Sequence, residues 1–378
     1  MARHVLWGTF DTGKPRVRMM VAAMRAMDPA LTVCHRSPWT GIEDKTQVRG
    51  LVAWLRLALR WAFAYPILIV QYLRSPAHDI VVVPYPGNLD VLLIWPFARL
   101  RGARVCWDMF ISAYDTVAID RALIRRRGVV ARLLYAAEWL STRAADRILL
   151  DTQAHGRYIA DLYHVPAHKI RAVWVGVEDQ VFTRAADPPP AGDLRVLFYG
   201  QFIPLHGLDT IVQAIADIRK RPQSPAIRFT IVGSGQEAPR IDHMIADLGL
   251  TDIERIAWVP YEKLPALIQR SSVCLGVFSG MGKGGRVIPN KVFQILACGR
   301  PLVTMDSPAM REIVSPGPAI RLVRPGDAAH LADTLIQLAH DMQRPGGAEA
   351  IHASAALSMP VADADVIRVQ MQQALDGM

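Results

Sequence analysis

Residues 281–304, MGKGGRVIPNKVFQILACGRPLVT, place three cations, Lys283, Arg286 and Lys291, on a glycine-rich loop and the first turn of a predicted helix. A helix N-terminus already carries partial positive charge, so cations are unfavourable there in isolation. A bound polyphosphate reverses that cost, because it accepts backbone N–H groups and cancels the side-chain charges. The stretch from Gly284 to Pro301 therefore reads as an anion grip. A flexible, solvated loop is the alternative. Gly299-Arg300-Pro301 ends the helix before another strand.

Two further glycine turns follow apolar runs. In LFYGQFIPLHG (197–207) a strand ends at Gly200 and Gly207 precedes a helical run; in FTIVGSGQE (229–237) Gly233 and Gly235 end a second strand. Strand, glycine turn and helix N-terminus form an anion site in many doubly wound folds, and a plain tight turn reads the same way. Near the N-terminus, Gly8 and Gly13 flank WGTFDTG, where backbone could approach a donor. Asp108 lies just past an apolar strand, at the edge where such folds place ligands. Asp115, seven residues on, and Asp151-Thr152, after another strand, are candidates for orienting an acceptor, with helix capping or turn bonding as the alternative for each. His155 reads as a surface helix residue.

The C-terminal half resembles glycosyltransferase family 4, retaining enzymes of the GT-B fold. The matching pieces are VLFYGQFIPLHG, IRFTIVGSG, RIAWVPYEKLPALIQRSSVCLGVF and RVIPNKVFQILACGRPLVT, in the family's order. Residues 145–182 resemble the segment entering the interdomain linker, and WDMFISAYDT (107–116) an acceptor-domain segment. The likeness covers roughly residues 100 to 340. It implies two Rossmann-like α/β domains facing across a cleft, with a nucleotide-sugar donor held by the second as a substrate and no cofactor. The family's pyrophosphate-holding basic pair falls at Gln201 and His206, neither a fixed cation, which leaves Arg286 and Lys291 as replacements. Its Glu-x7-Glu pair falls at Arg286 and Gln294. Gln294 can still hydrogen-bond a ribose. Lys283, Gly284, Gly285, Val287, Ile288, Pro289 and Asn290 complete the donor contacts. Retaining transfer then needs charge stabilised on the leaving diphosphate, assigned to Arg286 and Lys291, with Asp108 on the catalytic side and Asp115 and Thr152 on the acceptor side. No Asp-x-Asp pair stands at a strand end, so metal independence is expected. The rivals are a non-catalytic nucleotide-sugar-binding subunit and a sugar-nucleotide epimerase.

The elements that must position these residues alternate. Strands are expected at His4–Trp7, Ile80–Pro84, Arg104–Trp107, Arg147–Leu150 and Ala172–Val175, then at Arg195–Phe198, Phe229–Val232, Ile256–Val259, Val273–Val277 and Pro301–Thr304, with amphipathic helices between them. The proline run in ADPPPAGD (186–193) excludes helix and marks a boundary. Domains are thus expected at 1–185 and 193–345, followed by a C-terminal helix within 350–378 that returns to the first.

The 378 residues carry a net charge of +9, all in the first half: 24 Lys and Arg against 15 Asp and Glu in residues 1–180, and 19 of each thereafter. Such asymmetry points to an anionic surface or substrate, or to arginine used for solubility. A glycan or polyprenyl-linked acceptor at an anionic membrane surface fits better than nucleic acid. In the apolar stretch 49–74, Arg49, Arg56 and Arg60 fall on one helical face, beside Trp54, Trp61 and Tyr65. An interfacial membrane helix has that pattern, and so has a helix packed on a sheet with its arginines in water. The scattered Cys34, Cys106, Cys274 and Cys298 form no CxxC pair, and MARHVLWGTF lacks the apolar core of a signal peptide. Together these indicate a reducing cytoplasmic setting, peripheral to the inner membrane face.

Overall fold

The computed structural model describes residues 3–38, 50–184, 192–357 and 362–378. They divide into two compact units, Met1–Gly176 with Ala364–Met378, and Val177–Asp363.

In the first unit β1 (His4–Gly8), α1 (Pro15–Met27), β2 (Thr32–His35), α2 (Leu51–Leu73), β3 (Ile80–Val83), α3 (Asn88–Leu100), β4 (Arg104–Phe110), α4 (Val129–Ala144), β5 (Arg147–Leu150), α5 (Gln153–Tyr163) and β6 (Ile170–Ala172) alternate. The strands form one parallel sheet in the order β2-β1-β3-β4-β5-β6. Runs such as IVVV in β3 are buried at every position, because helices cover both faces. Leu68, Tyr72, Val91, Ile94 and Ala144 bring α2, α3 and α4 onto one face. On the other, Met20 and Met24 of α1 meet Ile367 and Met371.

The second unit runs β7 (Leu194–Tyr199), α6 (Leu208–Arg219), β8 (Ile227–Val232), α7 (Ala238–Asp247), β9 (Ile253–Ile256), α8 (Leu264–Gln269), β10 (Val273–Leu275), α9 (Asn290–Ala297), β11 (Leu302–Met305), β12 (Ile320–Val323), α10 (Ala328–Gln343) and α11 (Gly347–Leu357). Its parallel sheet has the order β12-β11-β10-β7-β8-β9. The last helix, α12 (Ala364–Leu375), belongs to the first unit.

Several boundaries differ from the sequence reading. β2 and β12 are edge strands of four residues whose mixed polarity hides them. The expected strand Ala172–Val175 ends at Ala172, and Ile256–Val259 lies three residues early. The units divide at Gly176 rather than at the proline run, of which 186–191 lie outside the described residues. The cause is the side chains that follow: Tyr261 Oη donates to Glu178 Oε2 at 2.7 Å and Gln269 Nε2 to the Thr183 carbonyl at 2.8 Å, fastening 177–184 to the second unit. The C-terminal stretch is two helices. Ile351 and Ala355 of α11 enter the second unit's core, and only α12 joins the first.

No described helix is long and apolar enough to cross a membrane. Arg49 lies outside the described residues, as does the side chain of Trp54. On α2 the side chains turned outward are apolar as well as basic: Leu55, Leu59, Phe63 and Ile67 are exposed alongside Arg56 and Arg60. Leu68 and Tyr72 pack the helix on the sheet with Arg56 and Arg60 in solvent, as the second expected arrangement has it, and the exposed apolar row is an addition to that arrangement.

Candidate functional site

In the second unit the chain leaves β7 for β8 and β9, then crosses back to β10, so the topology switches between β7 and β10. A crevice opens at the carboxyl ends of the strands at such a point. The turns expected to bind phosphate lie around it. Gly200 ends β7 at φ +144°, and an added Cβ there would stand 3.0 Å from His206 Cε1 and 3.1 Å from Lys291 Nζ. Gly200, His206 and Lys291 are therefore brought together. Gly233, at φ +135°, lies so close beneath that its Cβ would meet the Gly200 carbonyl oxygen. Gly233→Ala is expected to cost about 2–4 kcal/mol, as strain plus displacement of the β7 turn. Urea unfolding would measure it; an unchanged midpoint would show that the turn is loose.

Lys291 is the centre of the crevice. It stands in the first turn of α9, which has no side-chain N-cap, and is buried. Its Nζ lies 3.7 Å from the centroid of the Phe198 ring and 3.4 Å from the Gly276 carbonyl. No carboxylate pairs with it among the described residues. Burial alone holds its pKa well below the usual lysine value. Gln294, one turn on, accepts from Tyr199 Oη at 3.0 Å, and that hydroxyl also reaches the Lys291 carbonyl at 3.3 Å.

The glycine-rich loop folds as a 3₁₀ turn over Lys283–Gly285 and meets the turn Pro204–His206. Lys283, Gly284, Gly285, Val287 and Ile288 are buried, Pro289 precedes α9, and Asn290 opens it. Arg286 is half-buried, with its N–H donating to the Lys283 carbonyl at 2.9 Å. His206 Nδ1 faces the Gln201 carbonyl at 2.5 Å. A carbonyl only accepts, so Nδ1 carries hydrogen. The Gln201 side chain itself is exposed.

The first unit has its own switch point, between β1 and β3. Asp90 fills it, a residue the sequence reading did not single out. Its carboxylate accepts the Thr9 N–H at 2.6 Å, Thr9 Oγ1 at 2.9 Å and Tyr65 Oη at 2.8 Å. Burial pushes its pKa up, against the pull of those donors. A Cβ on Gly8 would come 2.4 Å from Asp90 Oδ2. Gly8 therefore admits the Asp90 carboxylate of its own unit. Gly13 closes an exposed turn, donating to Asp11 Oδ1 at 3.0 Å.

Asp108 needs the largest correction. It is fully buried, and Arg16 Nη2 donates to its Oδ1 at 2.7 Å. Arg16 Nη1 also donates to the carbonyls of Val173 and Trp174. Burial raises the Asp108 pKa and Arg16 opposes the rise. Its carboxylate is committed to tying β4, α1 and the exit of β6 together. Asp115 is buried in a π-helical turn over 115–120, where Tyr158 Oη donates to it at 2.9 Å. Thr152 caps α5, accepting the His155 N–H at 2.9 Å, the capping alternative noted for it. His155 is not at the surface. It is fully buried, with Nδ1 2.7 Å from Asp151 Oδ1 and, among the described residues, no hydrogen-bond partner at Nε2. A His at i+4 from a carboxylate at a strand end was the available signal.

Residues 193–341 match the family model described as Glycosyl transferases group 1. The matched stretch lies wholly within the second unit. The chain is 29% identical over 214 residues to the D-inositol 3-phosphate glycosyltransferase of Nocardia farcinica, covering 53% of this chain and 46% of that protein. It is 24% identical over 175 residues to the amylovoran biosynthesis glycosyltransferase AmsK of Erwinia amylovora, covering 46% and 42%. The chain thus spans about half the length of the relatives it matches. HepE of Anabaena, solved in complex with UDP and glucose, superposes over the whole of both chains with a TM-score of 0.68 at 12% identity. That likeness gives the two units the GT-B fold.

Proposed function

We propose that this chain is a retaining glycosyltransferase that moves a sugar from a nucleotide-sugar to a glycan or lipid-linked glycan acceptor in surface polysaccharide synthesis, working at the inner face of a membrane. The observation that carries the reading is Lys291, a buried amine with no carboxylate partner among the described residues, in the switch-point crevice of the second unit. A diphosphate supplies the counter-anion. The UDP and glucose bound to HepE, and the biosynthetic name of AmsK, support the donor class and the setting.

In the proposed reaction the bond from the anomeric carbon to the diphosphate oxygen breaks as the acceptor hydroxyl approaches the same face. The hydroxyl proton passes to the leaving phosphate oxygen. Lys291, Arg286 and the N–H groups opening α9 stabilise the charge gathering there. In this reading Gln294 gives its amide nitrogen to a ribose, its oxygen accepting from Tyr199 Oη.

Thermal shifts across UDP-, GDP- and ADP-linked sugars test donor binding, and transfer assays test turnover. Binding without turnover favours a non-catalytic subunit, and C2 epimerisation favours an epimerase. EDTA is expected to leave transfer unchanged. Binding also has a predicted pH dependence. Burial depresses the Lys291 pKa and a bound diphosphate raises it. Between those two values the site takes up a proton on binding, so affinity falls as pH rises, by up to about tenfold per pH unit, and levels off below the depressed pKa. UDP-glucose suits the test because its diphosphate diester does not titrate in that range. Calorimetry in buffers of different ionisation enthalpy counts the proton; zero uptake at every pH would sink this role for Lys291.

A further inference from the structure

At the amino edge of the first unit's sheet one guanidinium is buried with no carboxylate partner among the described residues. Arg147 opens β5 and is 7% exposed. Its Nε and Nη1 are shut off from solvent, and no acceptor meets either atom among the described residues. Its register partner on β4 is Cys106, whose thiol is pushed up by burial and stays neutral beside the arginine. The preceding acid, Asp146, is committed elsewhere: it accepts from Arg99 Nη2 at 2.6 Å and from the Val105 N–H at 2.8 Å. An arginine does not shed its proton at ordinary pH, so Arg147 remains charged.

Two more arginines crowd the same place. Side chains two apart on a strand share a face, and Cys106 and Leu149 both lie in the core under α1 and α12. Arg104, two residues before Cys106, and Arg147, two before Leu149, therefore stand on that face. So does Arg171, which pairs with Leu149 from β6. The three run diagonally across β4, β5 and β6, within reach of one another's long side chains. Arg104 and Arg171 are exposed, and neither meets a carboxylate among the described residues. Arg171 Nη1 donates to the His168 and Ile170 carbonyls at 3.1 Å and 2.8 Å, which keeps it at the edge. Burial lowers the Arg147 pKa, and the charges of Arg171 and Arg104 lower it further. Neighbouring like charges are destabilising, and a buried charge without a partner more so. Four residues along the same face of β4 the chain meets that cost itself, giving Asp108 to the buried Arg16. For Arg147 the described residues supply no such carboxylate. An anion that accepts from several guanidinium groups at once complements the trio, and a tetrahedral phosphate does so with charge to match.

We infer that Arg104, Arg147 and Arg171 form a phosphate-binding site at the amino edge of this sheet, at the opposite end of the strands from the switch point, and that it takes inorganic phosphate or the phosphate of a small monoester. This site stands apart from the transferase reading. Calorimetric titration of the full chain with inorganic phosphate, glycerol 3-phosphate and acetate, at equal ionic strength, tests it. Both phosphates are expected to bind at least about tenfold more tightly than acetate, and the tighter of the two identifies the source of the group. Arg147→Met should weaken phosphate binding by about tenfold or more, because charge-assisted bonds are lost. In phosphate-free buffer it should melt no lower than the natural chain, since it removes a buried charge that lacks a partner. The surface double variant Arg104→Gln/Arg171→Gln should weaken phosphate to a similar extent without disturbing the core. Lys291→Met should retain this binding, because that lysine lies in the other unit. Acetate binding as tightly as phosphate would overturn the inference, and so would arginine variants that bind phosphate like the natural chain. Loss of phosphate binding in Lys291→Met alone would place the anion in the crevice of the second unit and remove this site.

Discussion

Lys291→Met is expected to melt above the natural chain without ligand and to lose most of the thermal shift given by a nucleotide-sugar. Both effects have one cause. An ammonium between Phe198 and the Gly276 carbonyl is either charged without a counter-ion or neutral at the expense of its proton. Methionine fills similar volume without that cost, and replacing buried charge by apolar side chains often stabilises by about 1–4 kcal/mol. For a unit of this size that corresponds to roughly 2–4 °C per kcal/mol. The gain should depend on pH with a definite sign. A lysine pKa depressed in the folded state penalises folding below the unfolded value of 10.5, most strongly at and below the depressed pKa. The advantage of methionine should therefore shrink as pH rises past the depressed pKa and vanish above 10.5. Arg286→Ala should also lose most of the ligand shift, but with little gain in stability, because Arg286 is only half-buried. A Lys291→Met chain that melts lower and still shifts with UDP-sugars would show that Lys291 is a structural cation and that the grip lies elsewhere. Stability sacrificed at one position for function is common at binding sites.

The same residue shows how far the sequence was legible. The conflict between three cations and a helix N-terminus was visible from residue types alone, because helix polarity is a local property. The central strands were legible for a similar reason: IVVV in β3 and LFY in β7 are apolar at every position, as a sheet covered on both faces requires. What the sequence did not disclose were pairings between distant segments. Asp108 sits after an apolar run and looks like a ligand-facing carboxylate, and nothing nearby announces Arg16, 92 residues earlier. Gly8 looked like a place for a ligand because the Asp90 that fills the space is 82 residues away. His155 was read as a surface helix residue, yet it is buried with its ring against Asp151. The apolar row on the outer face of α2 was not legible for the opposite reason. Sequence periodicity separates arginine from leucine, but only packing decides which of two apolar rows is buried, and Leu57, Ala64, Leu68 and Tyr72 take that place.

Asp108→Asn provides the second large expected effect, and it falls on stability. The Arg16–Asp108 pair is almost completely buried. Removing one charge leaves the other uncompensated, which costs about 3–5 kcal/mol where such pairs have been broken. The guanidinium keeps its bonds to the Val173 and Trp174 carbonyls, which satisfy part of Arg16 but not its charge. Urea unfolding of the first unit should therefore shift strongly toward lower denaturant. The nucleotide-sugar shift, which reports the second unit, should persist wherever the chain remains folded. Replacing both residues, Arg16→Met with Asp108→Leu, should recover much of the loss, because it removes the unpaired charge along with its partner. A catalytic Asp108 predicts the reverse pattern: Asp108→Asn would unfold at the natural urea concentration, transfer would fall by orders of magnitude, and the double substitution would recover nothing. The two outcomes differ in sign on independent measurements, so one variant pair decides whether the carboxylate at the end of β4 holds the sheet together or faces the reacting sugar.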